Sequence, residues 1–218
     1  RNIIVVYPEL PWSHGTDIKR ENTGSSKVWN GVDSNLKQLH NDIVNIISIH
    51  YGKSPTITSL SFDGHSKGGA ALEYAAIYPS EANNYFLQIK PTLITLSDAD
   101  YAYGGRLVAQ VIYENYLSKV NARMGLLVQD PSRTTAHSPT KNAILFVKEI
   151  GGESAQGWFA ENTDWTTVKS EKYATPGAEA NKEFKIPGHE NIIYFPLTKD
   201  HYGIAKMSLA WVPGQVVS

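Results

Sequence analysis

The run Ile57-Thr58-Ser59-Leu60-Ser61-Phe62-Asp63-Gly64-His65-Ser66-Lys67-Gly68-Gly69-Ala70-Ala71-Leu72 constrains this chain more than any other stretch. Its first half is short, β-branched and apolar, the composition of a buried strand. Its second half continues through Ala75, Ala76 and Ile77 with the small residues of a helix lying close against a sheet. Between them Gly64-His65-Ser66-Lys67-Gly68 matches G-x-S-x-G, and a strand, a tight turn and a helix in that order lift the serine side chain clear of the sheet. The bare pattern arises by chance in roughly one such chain in ten, so its weight comes from the strand–turn–helix context. Ser66 is the candidate nucleophile.

The rest of the chain alternates strand-like and helix-like segments. Ile3-Ile4-Val5-Val6-Tyr7, closed by Pro8, predicts a buried first strand. Residues 9–30 show no period and predict a long loop lining a site. With Asp33 as N-cap, Leu36, Leu39, Ile43, Val44, Ile46 and Ile47 recur at helical spacing up to Gly52. Residues 57–62 are read as the strand before the turn. A further strand is expected at 91–96, ending in Ser97-Asp98-Ala99-Asp100-Tyr101, and a helix from Leu107 to Leu117. Ala143-Ile144-Leu145-Phe146-Val147 reads as another strand, and Ile192-Ile193-Tyr194-Phe195-Pro196 as the last. Ile204, Met207 and Trp211 suggest a closing helix. This order predicts an α/β fold, a mostly parallel central sheet with helices on both faces, in a single domain spanning 1–218.

A serine hydroxyl needs a base near neutral pH, and the base needs an acid to fix its tautomer. In open α/β sheets such groups gather in loops at the carboxyl ends of the strands. His201 follows the last expected strand. The six other histidines lie in or beside helices, next to Ser66, or in loops with no strand just upstream; the turn is expected to aim His65 away from Ser66. For the acid, Asp98 ranks first as the first carboxylate after its strand, then Asp100, then Glu149 beyond the segment 143–147. The oxyanion of an acyl-transfer intermediate needs two donors. The backbone N–H of Lys67 is the natural first, and the backbone of Glu9 or Leu10, after the first strand, the second.

Several other functions are disfavoured. The net charge is −1 and basic runs are absent, which argues against nucleic-acid binding. There is no cysteine, so disulfides, thiol catalysis and Cys-ligated zinc are excluded. No His/Asp/Glu grouping has zincin or EF-hand spacing, and no metal or cofactor is expected. Gly52-Lys53-Ser54 resembles the end of a P-loop, but Ile47 stands where its first glycine belongs and Pro55 blocks the helix start. No apolar run reaches the roughly 18 residues of a membrane span. The abundance of Asn, Ser, Thr and Tyr leans towards a periplasmic or secreted protein. The start at Arg1, without Met and directly before an apolar run, predicts that an upstream segment has been removed.

Gly64-His65-Ser66-Lys67-Gly68-Gly69 resembles the G-H-S-x-G-G nucleophile elbow of the α/β-hydrolase superfamily, broadly of its lipases and esterases. Leu96-Ser97-Asp98-Ala99-Asp100-Tyr101 resembles the strand-end aspartate segment of some bacterial members, with Asp98 in the acid's place. Lys67 departs from the small or apolar residue common after the nucleophile. The resemblance implies cofactor-independent hydrolysis through an acyl-enzyme, with Ser66 attacking and His201 shuttling the proton. A carboxylic ester, small or part of cell-envelope material, is the first expected substrate. An amidase, peptidase or acyltransferase with the same residues is the second reading. A catalytically silent binding module using loop aromatics such as Trp12, Trp29, Trp158 and Trp165 is the third.

Overall fold

Strands and helices alternate along the computed structural model, which describes residues 4–6, 35–103, 105–130, 138–156, 158 and 181–217. Helix α1 (Asn35–Tyr51) leads to β1 (Ser61–His65), α2 (Gly68–Ala76), α3 (Tyr85–Ile89) and β2 (Leu93–Ser97). A short antiparallel pair, β3 (Ala102–Tyr103) and β4 (Arg106–Leu107), precedes α4 (Val108–Ile112), which continues as a π-helical turn, Tyr113–Leu117. Then come β5 (Arg123–Gln129), α5 (Ser138–Gln156), β6 (Phe184–Ile186), β7 (His189–Leu197) and α6 (His201–Val217).

Five strands form one sheet in the order β1-β2-β5-β7-β6. β1, β2, β5 and β7 are parallel; β6 joins the edge antiparallel to β7. Successive side chains on a strand point to opposite faces, and both faces here are covered. Ile94, Leu96, Met124, Leu126, Val128, Ile192 and Tyr194 enter the larger core with Leu36, Ala71, Phe86, Ile112, Ile144 and Phe146 from the helices α1 to α5. Their neighbours Leu93, Leu127, Ile193, Phe195 and Leu197 pack on the other face against Ile204 and Trp211 of α6. Trp211 lies so close to β5 that a Cβ on Gly125 would come within 2.6 Å of its ring, so a side chain there would displace the helix. The molecule is therefore a mixed α/β structure with helices on both faces of a mostly parallel sheet. Among the described residues no helix is long and apolar enough to cross a membrane.

Four segment assignments differ from the sequence expectation. Ile4, Val5 and Val6 carry no regular structure and are 51%, 58% and 43% exposed, so the buried first strand expected there is not seen in them. The strand expected at 57–62 starts only at Ser61, where pairing with Leu93 of β2 begins, and includes Gly64 and His65; Ile57 is exposed. β-Propensity does not decide where a partner strand starts. The expected strand at 143–147 is part of α5: Ala143, Ile144, Phe146 and Val147 are fully buried because they share one side of a helix, a pattern a short apolar run cannot distinguish from a strand. The sheet takes its central strand instead from Arg123–Gln129, whose apolar centre is only Met124, Leu126, Leu127 and Val128.

Candidate active site

Ser66 and Asp98 each follow the last residue of a parallel strand, β1 and β2, at the same end of the sheet. Both adopt the left-handed backbone region rare outside glycine, with φ of 53° and 50°. Each donates its N–H to the next strand over: Ser66 to the Ser97 carbonyl at 3.3 Å, Asp98 to the Leu127 carbonyl at 2.7 Å. The register thus places the two turns side by side.

Glycine is needed around Ser66 for close approach. A Cβ on Gly64 would meet Leu72 at 2.8 Å and the Gly68 backbone at 3.0 Å, and one on Gly69 would lie 2.3 Å from the Ala99 carbonyl oxygen. Gly68, the second glycine of the pattern, has open space around it. The contact at Gly69 ties the start of α2 to the loop after β2. Lys67, in helical conformation, is the cap residue of α2. Its backbone N–H belongs to the first turn of that helix, directly after Ser66.

His201, the first residue of α6, donates from Nδ1 to Asp98 Oδ2 at 2.6 Å. Gln129 Nε2 donates to the same oxygen at 3.0 Å. Asp98 is fully buried, whereas the imidazole keeps 24% of its side-chain surface exposed. With Nδ1 as donor, Nε2 of a neutral ring is an acceptor. The Tyr101 hydroxyl is hydrogen-bonded to Ser66; burial raises the phenol's pKa and this bond opposes the rise.

The other two acid candidates lie elsewhere. Asp100 is fully buried and its Oδ1 accepts from the Ala109 N–H at 2.9 Å, which caps α4. Burial pushes its pKa up to about 7, and the nearby Glu73 adds to the rise. Glu73, on α2, is itself raised to about 7 by burial, with Arg106 opposing. Glu149 is an exposed residue of α5, because the segment before it is helical. Glu9 and Leu10, expected as second oxyanion donors, lie outside the described residues, as do Asp33, Trp12, Trp29 and Trp165.

Sequence reasoning missed four partners. Gln129 ends the strand that the apolar pattern did not reveal. Tyr101 sits within the acid loop but has no signature of its own. Asp63, just before the G-x-S-x-G pattern, and His65, inside it, both face α6. The His65 ring, expected to point away from Ser66, rests against the His201 ring with centroids 4.3 Å apart, and its Nε2 lies 2.9 Å from the His201 carbonyl oxygen. Burial lowers the His65 pKa; the bond to the His201 carbonyl opposes this most, the His201 ring adds to the lowering, and Asp63 and Asp98 oppose it. Among the described residues no group of three or more His, Asp or Glu side chains is placed to hold a metal ion.

No family model matches this sequence, and neither a curated protein nor a solved structure shows significant similarity to it.

Proposed function

We propose that this protein is a serine hydrolase of the α/β-hydrolase type that cleaves a carboxylic ester through an acyl-enzyme. The observation that carries this reading is the 2.6 Å bond from His201 Nδ1 to the buried Asp98, formed beside a serine held at φ 53° in a strand–turn–helix.

In this mechanism Asp98 holds His201 in the tautomer that presents an unprotonated Nε2. Ser66 Oγ attacks the ester carbonyl while its proton passes to His201 Nε2, and the imidazolium that forms is stabilised by Asp98. The carbonyl oxygen becomes an oxyanion that accepts from the Lys67 N–H, a contact worth about 2.7–4 kcal/mol of barrier in hydrolases of this kind. His201 then gives the proton to the leaving alkoxide. Water, deprotonated in turn by His201, attacks the acyl-enzyme, and as the acyl–oxygen bond breaks His201 returns that proton to Ser66 Oγ and the acid leaves. No step needs a metal or cofactor. Asp98 accepts from Gln129 as well as from His201, and the two bonds fix the orientation of its carboxylate towards the imidazole.

A fluorophosphonate probe tests the reading. Stoichiometric labelling of the native protein, lost in Ser66→Ala, is the expected result. Folded protein that does not label overturns it and leaves a binding module as the better description. Turnover of p-nitrophenyl esters against the matching anilides then separates esterase from amidase or peptidase.

A further inference from the structure

Asp63 and His65 take no part in the proton transfers above, yet both face the helix that carries His201. Residues two apart on a strand share a face, so β1 presents Asp63 and His65 together to α6. Residues seven apart on a helix are two turns apart on nearly the same side, which aligns His201 with Ser208.

The contacts follow that geometry. Asp63 Oδ2 accepts from the Ser208 hydroxyl and Oδ1 from the Ser97 hydroxyl, each at 2.6 Å, and both serines are fully buried. Asp63 is exposed as a residue, which fits its place on an edge strand, but its carboxylate turns inward to these hydroxyls, and burial raises its pKa. A carbonyl oxygen can only accept, so the 2.9 Å contact with His201 requires the proton of His65 to sit on Nε2. His65 immediately precedes Ser66 in the chain. The base's helix is therefore bonded at its first residue and again two turns on to the strand that leads directly into the nucleophile.

We propose that His65 and Asp63 are positioning residues, a two-point clamp from β1 onto α6 that fixes the His201 ring relative to Ser66. This rests on the hydrolase reading of the same site. Asp98 restrains the His201 ring through Nδ1. The clamp fixes the backbone from which the ring projects, and an error of about 1 Å at a reacting group can cost on the order of 100-fold in rate.

The test compares His65→Leu, which fills the space without a donor, with His65→Gln, which keeps an N–H able to reach the carbonyl. Three quantities are read on the full chain: kcat and KM with p-nitrophenyl butyrate, the rate of fluorophosphonate labelling, and the downfield proton resonance of the His201–Asp98 bond. His65→Leu is expected to lower kcat and labelling rate by about 10- to 100-fold with KM little changed, and to weaken the resonance. His65→Gln is expected to restore all three. Asp63→Asn, whose amide can still bond both hydroxyls, should stay near the native values, and Asp63→Leu should follow His65→Leu.

A folded His65→Leu protein with native labelling and resonance overturns the clamp, as does a His65→Gln protein no better than His65→Leu. Should His65→Leu not fold, His65→Asn, too short to reach the carbonyl, takes its place against His65→Gln. If the native protein fails to label, the hydrolase reading falls. The resonance then judges the clamp alone: its loss in His65→Leu with return in His65→Gln supports it, and its persistence in His65→Leu overturns it.

Discussion

The turns after β1 and β2 use one backbone device for two different side chains. Ser66 and Asp98 both occupy the left-handed region, and both bond through N–H to the carbonyl of the neighbouring strand. What differs is the chain on either side. The Ser66 turn runs straight into α2 and packs on its own helix at Gly64, where a Cβ would meet Leu72 and Gly68, while Ala99 of the acid loop requires Gly69; both glycines appear in the sequence as a motif. The Asp98 turn opens into a loop, carries no glycine, and is held by what other elements bring to it: Gln129 from β5 and His201 from α6. A turn held by its own segment leaves a local signature. A turn held from outside does not.

The largest expected effects test whether the two turns supply the two ends of one reaction. Ser66→Ala should lower kcat by about 10⁶-fold, the scale seen when a hydrolase loses its nucleophile, and abolish probe labelling. Asp98→Asn should lower kcat by about 10⁴-fold by favouring the wrong imidazole tautomer. Asp100→Asn should leave kcat within about tenfold of native, because its carboxylate caps α4 rather than meeting His201. Steady-state ester hydrolysis measures all three, and an Asp100→Asn loss exceeding that of Asp98→Asn would break the pairing of the turns.

The contact between the turns is tested at the glycines. Gly69→Ala drives a methyl into the Ala99 carbonyl, where a Cβ would lie at 2.3 Å, and should cost about 1–3 kcal/mol of stability as overpacking. Gly68→Ala meets open space and has no positive φ, so it should be neutral or stabilising by up to about 1 kcal/mol. Urea denaturation of the two variants reads the difference. Equal effects would mean that the turns are not tightly packed on one another.

Backbone strain gives a smaller contrast. Ser66→Gly should be about 1 kcal/mol more stable than Ser66→Ala, since only glycine sits in the left-handed region without a Cβ penalty. At Asp98 the same change also removes the acceptor of Gln129 and His201, so Asp98→Gly should show no such gain over Asp98→Asn. Thermal melts of the four variants make the comparison.

Proton linkage probes the acid loop against α2. Glu73 and Asp100 have carboxyl pKa values raised to about 7 from ordinary values of 4.5 and 3.8, so between about pH 4 and 7 the folded state binds more protons than the unfolded. Their contribution to stability is therefore full at the acid end, falls as pH rises through that window and is lost above it. Asp63, also raised, acts in the same direction. His40 and His65, both lowered from 6.5, act in the opposite direction below about pH 6.5, but equally in a native and a Glu73→Gln protein. The native-minus-variant difference in urea stability should thus shrink from pH 4 to pH 7. A flat difference would mean that Glu73 is not held protonated against the acid loop.

One part of this protein is encoded by chemistry between neighbours along the chain. The glycine and alanine pattern around Ser66 dictates a strand, a tight turn and a closely packed helix, because a side chain at Gly64 or Gly69 has nowhere to go. Alternating apolar segments dictate an α/β sheet. The rest follows from long-range packing and pairing. A run such as 143–147 is apolar whether it lies in a sheet or as a helix upon one, and only packing against β5 and β7 made it a helix. β5 itself became central through pairing with β2 and β7 rather than through its own residues. That His201 meets Asp98 rather than Asp100 or Glu149 depended on a left-handed turn, a glutamine one strand away and a separation of 103 positions closed by the fold. Those partners meet only when the chain has folded, because hydrogen bonds are made to neighbours in space.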